Sequence, residues 1–301
     1  MYKIKKQNSK KWGKLSFLAG VFILLSIVST YVLFAAPDFP KCDSDGAIDC
    51  TCPIDKSKIG DRSIVLIDTT DPLRNGKYGD VDRILSEITS QKKPLLQWLR
   101  DGKTSNQISV YILADKNPAD MQPIATFCQI PPDIALIASD MSASMIRKLE
   151  ASLRNKVLQT LESAKQYSSA SSSPIVESLA VLTGNSSSWT PGGDLIIVSD
   201  MIENSEKCGW FNSMDKIPPF SNAKQDCKNY VRNLIENIKP TSTNPNISAI
   251  AVCSLPRSSS KSGVRAFWSE LFQSGLGFDI AWTCDPREIA SRHFELNNNR
   301  K

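Results

Sequence analysis

Hydrophobic residues in this chain fall into three kinds of run, and each predicts a different element. Leu15–Ala36 is a block of 22 uncharged residues rich in Leu, Ile, Val and Phe. At about 1.5 Å per residue a helix of that length reaches roughly 33 Å, enough to cross a bilayer core. Farther on come short apolar runs bounded by turn residues, which read as strands: Ser63–Ile67, Gln107–Leu113, Ile124–Ile130, Asp194–Ser199, Ile247–Cys253 and Phe278–Thr283. Between them, apolar residues recur every three or four positions, the period of a helix with one buried face. Val81, Ile84, Leu85 and Ile88 mark a helix over Asp80–Arg100, kinked or split at Pro94. Met145, Ile146, Leu149, Leu153, Val157 and Leu161 mark a long one, capped by Asp140 or Ser142 and ending near Tyr167. Pro174 opens a short helix through Val181, and two more cover Asn222–Ile238 and Gly263–Ser274.

Strands separated by helices of this length need crossover connections. They predict an α/β fold: a Rossmann-like, mostly parallel sheet with helices on both faces. Ile124–Ile130 follows its neighbour too closely for a crossover, so it is expected as one antiparallel edge strand. The chain then divides into a basic tail (1–14), a transmembrane anchor (15–36), a cysteine-containing stem (37–62), the α/β domain (63–285) and a polar tail (286–301). Ser168–Ser173 reads as a serine-rich hinge within the domain, and no internal repeat is present.

Charge sharpens the reading of the first two segments. The formal charge is +5, but Lys3, Lys5, Lys6, Lys10, Lys11 and Lys14 supply six positive charges, leaving about −1 for everything after them. The globular part has no basic stripe to follow a phosphate backbone, so nucleic acid is not an expected partner. Lysines before an apolar block hold the amino terminus in the cytoplasm and send the remainder across the membrane, in a bacterium into the periplasm. A cleaved signal peptide is the alternative. Its apolar region is shorter, and Leu33 and Phe34 stand where small residues would be needed.

Eight cysteines in a translocated chain suit disulfides. Zinc is a poor alternative, since Cys50 and Cys52 lack the usual spacing and the single histidine, His293, is remote. Cys208 and Cys227 are the first candidate pair. Cys253 and Cys284, at the ends of neighbouring strands, are the second. Cys42, Cys50, Cys52 and Cys128 would pair among themselves and tie the stem to the sheet edge.

The chemistry concentrates at two strand ends. Ile64–Ile67 runs into Asp68, Thr70 and Asp71, with Pro72 forcing a turn, and Leu195–Val198 runs into Ser199 and Asp200. In open α/β sheets ligands bind beyond the carboxyl ends of the strands. Two carboxylates with neutral hydroxyls are suitable ligands for a hard divalent cation. The plainer alternative is that both aspartates accept backbone N–H groups of their own turns. Asp71, next to Pro72, is more naturally a turn former.

These residues resemble the von Willebrand factor A domain superfamily over roughly residues 63–285. Its metal-ion-dependent adhesion site reads D-x-S-x-S after the first strand, a Thr in a later loop and an Asp after the fourth strand. Asp68-Thr69-Thr70-Asp71-Pro72 matches the first part, with Pro72 replacing the second hydroxyl. Ser173-Pro174-Ile175-Val176-Glu177-Ser178-Leu179 is similar to the family's T-P-L-x-x-A-L loop, which puts Ser173 at the threonine position. Ser199-Asp200-Met201 falls where the family has T-D-G. The resemblance implies Mg²⁺, or Mn²⁺ in its place, held by Asp68, Thr70, Ser173 and Asp200, with an open position for a carboxylate from a protein partner.

Catalysis has little material. A phosphohydrolase of the haloacid-dehalogenase type using Asp68 needs D-x-D, and position 70 is Thr. G-x-S-x-G, H-E-x-x-H and P-loop patterns are absent. The expected function is therefore a membrane-tethered, non-catalytic protein-binding module. A metal-dependent phosphohydrolase and a scaffold with a vestigial site are the alternatives. Trp268, Phe272, Phe278 and Trp282 read as core, and Trp210 and Phe211, in a cysteine-flanked loop, as candidate partner contacts.

Overall fold

The computed structural model describes residues 52–68, 86, 107–113, 117–128, 143–167, 172–191, 193–208, 224–239, 250–254, 261–276 and 280–283. The expected anchor at 15–36, most of the stem, the helix at 80–100 apart from Ser86, and the polar tail with His293 lie outside these residues. Among the described residues no helix is long and apolar enough to cross a membrane.

The described strands are β1 (Arg62–Asp68), β2 (Gln107–Leu113), β3 (Ala125–Cys128), β4 (Leu195–Ser199) and β5 (Ile250–Ser254). They form one sheet in the order β3-β2-β1-β4-β5. β1 pairs in parallel with both β2 and β4, β4 pairs in parallel with β5, and β3 is antiparallel to β2 at the edge. The result is the α/β sheet that the apolar runs predict. The short β2–β3 connection permits only a hairpin-like return, whereas each parallel neighbour needs a crossover. Of the expected strand Phe278–Thr283, Ile280–Thr283 is described, and Ala281 makes a β-bridge there.

Four described α-helices accompany the sheet: α1 (Ala143–Tyr167), α2 (Ile175–Gly184), α3 (Gln225–Ile238) and α4 (Lys261–Leu276). Strand alternation sorts their contacts. Ile64 and Leu66 of β1, Tyr111 and Leu113 of β2, and Leu195 and Ile197 of β4 face one side. There they join a single core with Leu179 and Leu182 of α2, Val231 and Leu234 of α3, and Trp268 and Phe272 of α4. Val65, Ile67, Val110, Ile196 and Val198 point the opposite way and are equally buried. A central parallel strand covered on both faces must be apolar at successive positions, which is why Ile64–Ile67 carries no alternation.

Parity also places the site. Asp68 shares the face of Ile64 and Leu66, and Ser199 shares that of Leu195 and Ile197. Both therefore project toward the layer containing α2. One glycine is dictated by packing: a Cβ at Gly193 would stand 1.9 Å from the Arg62 carbonyl oxygen, where the loop before β4 crosses the start of β1.

Among the described residues two disulfides hold the periphery. Cys52–Cys128 ties the segment before β1 to the end of β3, and Cys208–Cys227 ties the loop after β4 to the first turn of α3. Cys253 lies on β5, while Cys284, Cys42 and Cys50 lie outside the described residues. Disulfides persist in oxidising compartments, which fits a domain outside the cytoplasm. The Cys208–Cys227 bridge spans a sequence separation of 19. Replacing both cysteines with serine is expected to cost roughly 3 kcal/mol in urea unfolding. An unchanged midpoint would show that the loop is held equally well by its other contacts.

Candidate functional site

Asp68 ends β1 and is 3% exposed. Its Oδ2 accepts two hydroxyl hydrogen bonds, from Ser173 Oγ at 2.7 Å and from Ser199 Oγ at 2.8 Å. The register explains the second bond. Ile67 is opposite Val198, so the next residues, Asp68 and Ser199, lie side by side at the carboxyl edge. Ser199 Oγ also accepts the Met201 N–H at 2.8 Å, which fixes the hydroxyl between strand and loop. Ser173 spends its proton on Asp68, leaving oxygen lone pairs to face another ligand.

Of the serine tract Ser168–Ser173, the first four residues lie outside the described ones, and Ser173 itself is held in place. Its N–H donates to the Asn204 carbonyl at 2.6 Å, and the Asn204 N–H donates back to the Ser173 carbonyl at 3.0 Å. This bridge holds the segment entering α2 against the loop that follows β4. Pro174 occupies the N-cap of α2, just outside the helical turn, and supplies no side-chain cap. The cap comes from elsewhere: Glu203 Oε2 accepts the Val176 N–H at 2.9 Å.

Glu203 is fully buried, and its Oε1 has no hydrogen-bond partner. Burial pushes its carboxyl up to about 8. The Ser205 hydroxyl and the Val176 and Ile175 amides oppose that rise, and the charge of Asp68 adds to it. Glu203 thus stays protonated well above the usual carboxylate range, because taking the ion out of water outweighs what the helix terminus returns.

The rest of the loop is held from outside. Met201 adopts a left-handed backbone, φ 62°, at the position where the resembled family has glycine. A non-glycine residue there carries strain on the order of 1 kcal/mol. The Met201 side chain is buried, and its carbonyl accepts the Trp268 Nε1–H at 2.9 Å. Asp200 Oδ1 accepts the Ile202 N–H at 2.9 Å, so that oxygen is engaged within its own turn. At the rim, the Lys207 ammonium meets the Tyr230 hydroxyl at 3.0 Å and Glu177 Oε1 at 3.2 Å. Both push the lysine above its ordinary value.

Of the residues expected to hold a cation, the structure brings Asp68 and Ser173 together and sets Asp200 on the adjoining loop. Thr70 lies outside the described residues, as do Trp210 and Phe211. Among the described residues, no group of three or more His, Cys, Asp and Glu side chains stands placed to hold a metal ion. Sequence reasoning missed Glu203. Its one signal was an acid just behind Met201 and Ile202, at the end of a buried strand. It also missed Trp189, buried in the main core. Trp268 and Phe272 are core as expected, stacked with ring centroids 6.0 Å apart.

No family model and no curated protein matches the chain. Among solved structures it is similar to the PilB minor pilin from Streptococcus sanguinis, at 10% identity and a TM-score of 0.37, over 83% of this chain and 63% of that one. The D319A mutant of the same pilin gives 9% identity and a TM-score of 0.33, over 80% and 62%. The chain spans less than two thirds of either. A likeness this distant assigns neither a family nor a function.

Proposed function

We propose that this protein is a membrane-tethered, non-catalytic binding module of the von Willebrand A type, acting outside the cytoplasm. In this reading it takes a protein partner at the carboxyl edge of its sheet. The observation that carries the reading is a buried Asp68 at the end of the central strand, with two serine hydroxyls converging on one of its oxygens. The strand order, with its antiparallel edge strand, and the two disulfides support the resemblance and the compartment. Asp68, Thr70, Ser173 and Asp200 would hold Mg²⁺ or Mn²⁺. The ion would supply positive charge at an edge that otherwise presents oxygens, and a partner carboxylate could meet it there. The oxygen donors suit a hard cation, and Glu203 Oε1, buried and without a hydrogen-bond partner within bonding distance, is a further oxygen on the loop that carries Asp200.

A second reading has its own observation. Ser173 and Ser199 already satisfy Asp68 Oδ2, so the trio also works as a metal-free lock between β1, β4 and the segment entering α2. Partners would then dock on other surfaces. Titrating Mg²⁺ or Mn²⁺ into the full chain in detergent separates the two. Saturable binding that Asp68→Ala removes is expected from the first, and no binding at millimolar cation from the second. Mg²⁺-dependent hydrolysis of a phosphate ester, lost in Asp68→Asn, would instead make the protein an enzyme. An inactive periplasmic reporter fused at the carboxyl terminus, with an active cytoplasmic one, would overturn the tethering.

A further inference from the structure

We propose that Glu203, and not Asp200, supplies the second carboxylate of the cation site beside Asp68. The inference rests on the cation reading above and names a ligand which that reading lacks. Glu203 is entirely buried: Oε2 accepts the Val176 N–H, Oε1 has no hydrogen-bond partner within bonding distance, and the Ser205 hydroxyl and the Ile175 amide also favour its charged form. Capping α2 requires one acceptor, which a glutamine or a serine would also provide. It does not account for a second oxygen held in the dark. Without a cation the group avoids the cost of a buried charge by keeping its proton; a divalent ion would release that proton and supply the opposite charge instead.

Backbone geometry brings this group to Asp68. Asn204, the next residue, is locked to Ser173 by two hydrogen bonds, and Ser173 donates to Asp68 Oδ2. Glu203 therefore lies one residue from a bridge whose far side touches the Asp68 carboxylate. The two are close enough that the charge of Asp68 acts on Glu203. Asp200 is differently placed. It is half-buried, and its Oδ1 holds the Ile202 N–H within its own turn. A divalent ion between Asp68 and Glu203 would find two carboxylates and the Ser173 oxygen without undoing that turn.

The test measures Mn²⁺ affinity by electron paramagnetic resonance on the full chain in detergent, for wild type, Glu203→Gln and Asp200→Asn. Urea unfolding of each variant without metal serves as a control. Glutamine keeps an oxygen for Val176, so metal-free stability is expected to stay at or above wild type while affinity falls at least about tenfold. Asp200→Asn is expected to stay within about threefold. If Glu203→Gln fails to fold, Glu203→Asp keeps the charge but withdraws it by one methylene, and must still weaken binding. Affinity unchanged in these Glu203 variants, with loss in Asp200→Asn, would overturn the inference and leave the cation reading standing. No binding by wild type would overturn both.

Discussion

Asp68→Ala is expected to destabilise the domain by roughly 3–5 kcal/mol, before any ligand is considered. Asp68 is buried and accepts hydrogen bonds from Ser173 and Ser199. Alanine removes the acceptor from both hydroxyls at once and leaves them in a site that water enters poorly. Each buried hydroxyl without a partner costs about 1–3 kcal/mol. The same change frees Ser199 from β1, and Ser199 anchors the Met201 N–H and so the start of the following loop. Asp68→Asn is expected to cost less, roughly 1–2 kcal/mol, because the amide oxygen still accepts while the charge-assisted part of the bonds is lost. Denaturant unfolding of the three proteins without added metal measures both. A loss below about 1 kcal/mol for Asp68→Ala would mean that the hydroxyls find other partners.

The second large effect is a pH dependence with an unusual sign. Most carboxylates that matter to a fold have lowered values, and their contribution is lost in acid. Glu203 is the reverse. Its folded value is raised from 4.5 to about 8, so between those limits the unfolded chain gives up a proton that the folded chain keeps. Its contribution is fully present below about pH 4.5, declines as pH rises, and is gone above about pH 8. At 1.36 kcal/mol per unit the full swing is on the order of 5 kcal/mol. Glu203→Gln removes this swing while keeping an acceptor for the Val176 N–H. The variant should therefore be more stable than wild type at pH 8, and the gap should close toward pH 5. Urea unfolding at intervals across that range measures the difference directly. Parallel curves would mean that Glu203 ionises normally in the fold.

Much of the frame was legible because its signals are local. The apolar run Ile64–Ile67 needs cover on both faces, and the structure places it as the central strand with neighbours on each side. The spacing of Leu149, Leu153 and Val157 set one face of α1, and all three are buried. The helix pattern in Trp268 and Phe272 was equally clear.

The site was legible only in part. Asp68 stood out as an acid at the end of an apolar strand, and Ser173 through the order of motifs along the chain. Ser173 also sat at the end of a serine tract that reads as a hinge. The bridge to Asn204 fixes Ser173 itself, and it joins segments about thirty residues apart, with no trace in either one alone. Glu203 carried almost no signal, since a glutamate in a loop is ordinarily solvated.

What the sequence determined by itself is the sorting of residues into buried strands, amphipathic helices and turns, because side-chain hydrophobicity and its period act over a few neighbours. The apolar block at Leu15–Ala36 and the lysines before it belong to the same class of information. The tertiary structure alone decided which acids are buried and what faces them. Strand register set Ser199 beside Asp68, a two-bond bridge brought Asn204 to Ser173, and the need to cap α2 drew Glu203 out of water. A carboxyl group's chemistry depends on its solvation and on the charges within a few ångströms. Both are properties of the packed chain, and neither is written in the residues on either side of it.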